Sequence, residues 1–282
     1  MVKERLKVAF VDFWPEWKDE DFITPILETQ YELIEDRQNP DVVFHSVFGR
    51  QADGYDCRKV LFLGENKRPG AYNTTYSISF DPVTETNFRL PLWQVFLLRK
   101  PSLMDSLFER FRHPKFDEFC SFTVSNPANF IRNSVFQQLN SYKMVKSYGR
   151  YLTNSHELQE ASRDRYWRDA KEEFFRSRAH KFCIAYENNP YRYYCTEKLM
   201  DAFLGGSMPI YWGDPRVAED WNEKAFINAT RMSDVASEVK RLDRSDALFM
   251  ERYAQPVFTD EQRERHINTL GEFKSWLLKI VR

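Results

Sequence analysis

Short apolar runs recur through the first third of the chain, each bounded by Asp, Asn, Gly or Pro. They are Leu6–Val11, Tyr31–Ile34, Val42–Phe44, Val60–Leu63 and Tyr76–Phe80. Their Val, Ile, Phe and Tyr content predicts strands, and the apolar spacing over Phe22–Gln30 predicts a helix between the first two. This alternation points to a mostly parallel sheet built from βαβ units. The span Thr84–Lys115 is irregular and Pro-punctuated, with a helix predicted over Pro91–Leu98. It is not Gly/Ser-rich, so it does not read as a flexible linker.

A second alternation follows. Strand Ser121–Val124 leads to helix Phe130–Ser141 and a short strand at Lys143–Lys146. Helix Arg165–Arg178, strand Phe182–Tyr186, helix Glu197–Leu204 and strand Pro209–Trp212 come next. Strand Ala225–Ile227 and helices over Val235–Leu242 and Asp246–Ala254 complete the half. Thr259–Val281 predicts a long amphipathic helix. The pattern divides the chain into an N-terminal domain, 1–115, a C-terminal domain, 116–258, and a C-terminal helix, 259–282, able to pack back on the first domain. A length of 282 residues suits two domains of about 100–150 residues each.

Composition narrows the function. Hydrophobic residues make up 42% and charged residues 29%, enough for a substantial core under a polar surface, while a net charge of −1 offers no field for nucleic acid or anionic lipid. Cys57, Cys120, Cys183 and Cys195 lack metal-type spacing, and Cys120 and Cys183 fall in strand-like runs as buried thiols. No run is long and apolar enough to span a membrane, and Met1–Lys7 is charged and leads straight into a strand. A cytoplasmic location is therefore expected.

The chemistry concentrates in residues 182–228. Thr196 is expected to cap a helix whose apolar face is Leu199, Ala202 and Phe203, with Gly205–Gly206 as its stop. Lys198 then lies in the first turn, where the helix dipole disfavours a cation by about 0.3–1 kcal/mol. One reading is that Lys198 and the free amides face an anion together. The other is that its long stem carries the charge out to solvent. Arg132, after strand Ser121–Val124 and the turn Ser125–Pro127, is a second cation at a strand-to-helix junction. Taken together, the two suit a shared diphosphate better than either does alone. Glu197 suits the dipole, and an acid there can also accept from ribose hydroxyls. Glu187 and Asn188 end a strand on the carboxyl side, where ligands of such sheets gather, and Tyr194 is among the aromatics around that edge.

The run AYENN…YYCTEKLMDAFLGGSMPIYWGDP…FIN closely resembles the donor-binding signature of the bacterial-type α-1,3/1,4-fucosyltransferases, glycosyltransferase family ten. LFLGEN at 61–66, SFDP at 79–82, RLPLW at 89–93, SNPANFIRNSVFQQLN at 125–140 and VKSYGRYLTN at 145–154 extend the resemblance over most of the chain. It implies an α/β, GT-B fold: two Rossmann-like domains facing across a cleft, with acceptor on the N-terminal side and GDP-β-L-fucose on the C-terminal side. It further implies inverting transfer to a hydroxyl of N-acetylglucosamine, most readily O3. Residue by residue, Arg132 and Lys198 match the family's pyrophosphate cations, Glu197 its ribose-binding acid, Tyr194 a donor-site tyrosine and Glu65 its proposed general base.

No metal or other cofactor is expected. The Asp19–Asp21 pair precedes a helix rather than ending a strand, and the five histidines share no ligand spacing. AYENN departs from the aromatic–Glu–Asn–Ser run of many members, and the heptad-repeat tail of some is missing here, which implies a monomer or weak homodimer. The expected partners are GDP-fucose and an N-acetylglucosamine-containing oligosaccharide. A transferase using another GDP-sugar and an inactive glycan- or nucleotide-binding protein remain as alternatives.

Overall fold

The computed structural model describes residues 3–113 and 115–282. Met1 and Val2, the start of the charged segment before the first strand, lie outside the described residues, as does Pro114. The chain forms two compact units, one of Met1–Pro101 with Glu264–Arg282, the other of Ser102–Arg263. They part earlier than the 115/116 boundary expected from sequence, and again inside the helix Asp260–Ile280.

The first unit is a parallel sheet of β1 (Glu4–Val11), β2 (Tyr31–Glu35), β3 (Val42–His45), β4 (Arg58–Phe62), β5 (Tyr76–Ser79) and β6 (Asn87–Arg89). The strand order is β2-β1-β3-β4-β5-β6. Alternate residues put Leu6, Val8, Phe44, Val60, Phe62 and Ile78 on one face, where Phe273, Leu277 and Ile280 of the C-terminal helix join the same core. Strand β6 lies within the span read from sequence as irregular. Its buried Asn87 obscures the apolar alternation, because its side chain accepts from Ser77 and Ser79 and donates to the carbonyls of Asp81 and Pro82. The helix expected over Phe22–Gln30 shrinks to Thr24–Leu27, with Pro25 in its first turn.

The second unit is a parallel sheet of β7 (Glu118–Phe122), β8 (Val145–Ser147), β9 (His180–Tyr186), β10 (Met208–Trp212) and β11 (Ile227–Asn228), in the order β11-β10-β9-β7-β8. Helices Phe130–Asn140, Val235–Asp243 and Asp246–Tyr253 contribute Val135, Phe136, Val239 and Phe249 to its core. Helices Ser102–Glu109 and Glu157–Ala161 have no counterpart in the sequence expectation.

Both sheets share one connectivity. The chain starts in an inner strand, goes out to one neighbour, then crosses to the other side and continues outward. The reversal leaves a crevice at the carboxyl ends of β1 and β3 in the first unit, and of β7 and β9 in the second. Ligands of doubly wound sheets bind at such points.

Candidate active site

At the second unit's switch point, β7 and β9 are tied together by side chains from the segments that follow them. Asn129 caps helix Phe130–Asn140 by accepting from the amide of Arg132, and its Nδ2 donates to the carbonyls of Glu187 and Asn188 at 3.1 and 3.0 Å. Arg132 is 1% exposed. Its Nη1 donates to Asn188 Oδ1 at 3.0 Å and its Nη2 to the Asn126 carbonyl at 2.5 Å, while Nε is buried without a partner. Burial lowers the pKa of this guanidinium and the Glu187 carboxylate works against the loss, so Arg132 remains charged.

Residues 187–198 build the other side. Glu187 is fully buried. Its carboxylate accepts from Thr196 N at 2.7 Å, accepts from Thr196 Oγ1 at 2.8 and 3.0 Å, and lies 3.2 Å from Lys198 Nζ. Lys198 Nζ also donates to Thr196 Oγ1 at 2.9 Å and lies 3.5 Å from Glu197. Burial would lower the pKa of Lys198, but the Glu187 and Glu197 carboxylates prevail and raise it. Burial would raise that of Glu197, yet Lys198, Lys171 and Arg168 bring it down to about 2. For Glu187 burial wins, and its pKa is raised. Glu187 and Thr196 thus hold the ammonium of Lys198, whose side chain is about a quarter exposed, with its charge secured.

One expectation is corrected here, and one of two open readings falls. Thr196 does not cap the helix: Glu197 occupies that position without a side-chain cap bond, and the Thr196 hydroxyl is committed to Glu187. Lys198 does not carry its charge out to solvent, because two carboxylates hold it. The helix Lys198–Leu204 is a seven-residue segment, so the two cations rather than a long dipole define the site. It ends as expected at the glycine pair. Gly206 has φ +72°, Ser207 N bonds to Ala202 O and Gly206 N to Phe203 O, which is a Schellman closure.

Tyr194 is buried, in a loop organised by the fully buried Asp214, which accepts from the amides of Tyr193 and Arg216. Arg132, Glu187, Asn188, Glu197 and Lys198 therefore come together at one strand-end crevice, with Tyr194 in the adjoining loop. Sequence reasoning missed Asn129, Thr196 in its real role, and Gly213, where a Cβ would lie 2.5 Å from Glu187 Cγ. An Asn directly before an apolar helix is a cap signal that could have found Asn129. Nothing local could have found the other two.

Glu65 belongs to the first unit, exposed in the turn after β4 beside Asn66, whose Oδ1 accepts from Arg68. At the carboxyl end of β1 a cavity of about 510 Å³ opens, lined by Phe13, Trp14, Trp17, Asp12, Glu35 and Arg37 among others. Phe13 and Trp17 stack at 3.8 Å, and Trp14 meets Trp17 edge-on at 5.2 Å. Trp17 is buried, while the partly exposed Phe13 and Trp14 with nearby carboxylates suit a sugar ring, which presents both C–H faces and hydroxyls. Among the described residues no group of three or more His, Cys, Asp or Glu is arranged to hold a metal ion. Asp21 instead accepts from the amides of Ile23 and Thr24. No helix of the described residues is long and apolar enough to cross a membrane.

Comparison with known proteins places the fold in a family. The sequence profile of the α-(1,3)-fucosyltransferase FucT N-terminal domain matches residues 8–96, and that of the glycosyltransferase family 10 (fucosyltransferase) C-terminal region matches residues 114–263. The chain is 29% identical over 271 residues to an α-(1,3)-fucosyltransferase FucT of Helicobacter pylori, covering 79% of this chain and 53% of that protein. It is 31% identical over 148 residues to a GDP-fucose protein O-fucosyltransferase 3 of Xenopus laevis, covering 51% of this chain and 31% of that one. The chain thus spans about half or less of the length of these relatives. A crystal structure of an α1,3-fucosyltransferase with GDP-fucose superposes with TM-score 0.71 at 23% identity, over 98% of this chain and 91% of that one. Another, of an α1,3-fucosyltransferase, gives 0.76 at 22% identity, over 99% and 92%. Two parallel-sheet units, the GT-B fold of these structures and profile matches along both halves lead to one assignment: this chain belongs to glycosyltransferase family 10, the fucosyltransferases.

Proposed function

We propose that the protein transfers L-fucose from GDP-β-L-fucose, with inversion, to O3 of N-acetylglucosamine in a glycan acceptor. The observation that carries this reading is the pair Arg132 and Lys198. They come from separate strand–helix junctions, are tied to the same strand end through Asn188 and Glu187, and Arg132 keeps a buried N–H without a partner. Two cations so placed suit a diphosphate leaving group.

In this mechanism Arg132 and Lys198 bind the diphosphate, Glu197 accepts from the ribose hydroxyls, and Tyr194 and Asn188 complete the donor site. Glu65 takes the proton of the acceptor hydroxyl as its oxygen attacks C1 of fucose from the face opposite the diphosphate. The C1–O bond to GDP breaks, and the two cations take up the charge that develops on the departing phosphate. Their charges supply what a metal would otherwise supply, so transfer proceeds without one. The aromatic cavity at the end of β1 holds the acceptor sugar. The match of residues 8–96 to an α-(1,3)-fucosyltransferase N-terminal domain supports a glycan acceptor, whereas the protein O-fucosyltransferase 3 match extends over only about half of the chain. The protein is expected to act in the cytoplasm as a monomer or weak dimer.

The test is a transfer assay with GDP-fucose, EDTA and a panel of acceptors that includes N-acetyllactosamine. An α-1,3-linked product with EDTA present is the expected result. GDP binding without transfer to any sugar in the panel would overturn the acceptor assignment, and absence of GDP binding would overturn the donor assignment.

A further inference from the structure

Glu187, singled out from sequence as a donor-site candidate, has its carboxylate committed within the protein rather than offered to a ligand. It is fully buried, its backbone carbonyl accepts from Asn129, its amide donates to Trp212 O at 2.8 Å, and its carboxylate is surrounded by Thr196 and Lys198. The space it fills exists because residue 213 is a glycine. A Cβ there would lie 2.5 Å from Glu187 Cγ and 2.9 Å from its Cβ, the base of the side chain rather than a movable tip. We infer that Glu187 is a positioning residue, the buried counter-ion that seats the ammonium of Lys198, and that Gly213 makes room for it. This rests on the reading that Arg132 and Lys198 bind the diphosphate.

The physical case is one of pre-organisation. A lysine on a four-carbon stem has many places to go besides the crevice. A carboxylate beside the ammonium removes that freedom without occupying the crevice. Thr196 Oγ1 completes the seat, donating to Glu187 while accepting from Lys198. The electrostatics agree, since the Glu187 charge raises the pKa of Lys198.

Glu187→Gln keeps the volume and can still accept from Thr196 N, but it puts an amide donor where the ammonium needs an acceptor. GDP affinity is expected to fall about tenfold, a change worth about 1.4 kcal/mol. In a Lys198→Ala background the same substitution should change GDP affinity less than about twofold, because there is no ammonium left to seat. A merely structural role would lower thermal stability and weaken GDP binding equally in both backgrounds, and that result would overturn the inference. Unchanged GDP binding by Glu187→Gln, alongside weakened binding by Lys198→Ala, would overturn the inference alone. Parent-like GDP binding by Lys198→Ala would overturn the diphosphate reading and this inference with it. Should Glu187→Gln fail to fold, Gly213→Ala displaces the carboxylate while keeping its charge. It is read by the same pair of measurements with the same expected and overturning results.

Discussion

Arg132 Nη1 donates to Asn188 Oδ1 at 3.0 Å, and this bond joins the helix after β7 to the end of β9 across the switch point of the second sheet. With Nη2 on the Asn126 carbonyl, it holds the guanidinium plane at two edges and leaves Nε–H buried without a partner. A fork gripped in this way can be pre-aimed at an anion in a manner an ammonium cannot match. Arg132→Lys is therefore expected to raise the donor KM about 10- to 100-fold, the loss of about one charge-assisted hydrogen bond of 1.5–3 kcal/mol. Steady-state kinetics over a range of GDP-fucose concentrations measures this. A KM within twofold of the parent would show that the fork geometry is irrelevant to the donor.

Asn129 works through both strand ends. Asn129→Ala removes the cap of helix Phe130–Asn140, worth about 1 kcal/mol, and frees the carbonyls of Glu187 and Asn188. Lower thermal stability together with weaker GDP binding is expected. A loss of stability with GDP affinity intact, measured by calorimetry, would confine Asn129 to capping.

Glu65 is the one proposed reacting group in the first unit. Glu65→Gln keeps its size and removes its ability to take a proton. Turnover should fall by about 10²–10⁴-fold with GDP affinity unchanged, since general-base catalysis is worth that much. Because Glu65 is exposed and carries no tertiary bond through its carboxylate among those described, thermal stability should not change.

His180 makes stability depend on pH. It is fully buried, its Nε2 lies 2.8 Å from Tyr148 Oη, its Nδ1 lies 3.2 Å from the Arg178 carbonyl, and burial pushes its pKa down to about 4. The folded state thus binds the proton less readily than the unfolded chain, where the pKa is about 6.5. Its stabilising contribution is complete above pH 6.5 and declines as pH falls towards 4, by about 3 kcal/mol over that window. Denaturant titrations of the parent should show the decline, and His180→Gln should flatten it. An unchanged slope in the variant would assign the pH dependence to other groups.

Gly206 tests the closure of the helix that carries Lys198. Its φ of +72° disfavours any Cβ, and one added there would meet His113 at 2.8 Å and Phe111 at 2.9 Å. Gly206→Ala should cost about 1–3 kcal/mol of stability in thermal or denaturant unfolding. A neutral substitution would mean that these two side chains move aside and the backbone adjusts.

Much of the fold could be read directly from the chain, because strand and helix signals are local. The Val- and Phe-rich runs became strands of two parallel sheets, and helix Phe130–Asn140 lies within one residue of its expected end. Errors fell where local and tertiary demands differ. Asn87 looks like a loop residue until its neighbours Ser77 and Ser79 are known, and the Ser102–Glu109 helix has only two turns of pattern to announce it.

The candidate site divides in the same way. Arg132, Glu197, Lys198, Glu187 and Asn188 were identifiable from sequence because each sits where a strand gives way to a helix, and that position is set within a few residues along the chain. Which of them meet, and on what terms, was not. Thr196 looked like a helix cap, yet its hydroxyl faces a carboxylate from the end of β9. Gly213 carried no reading from sequence, yet it leaves the space that the base of the Glu187 side chain fills. The sequence by itself determined the alternation of strands and helices and the placing of charged groups at strand ends, since periodicity and residue chemistry act over a handful of positions. Only the tertiary structure decided that Glu187 lies beneath Lys198 and within the field of Arg132. Burial and pairing of charge depend on what the sheet brings alongside, and no short stretch of chain encodes that.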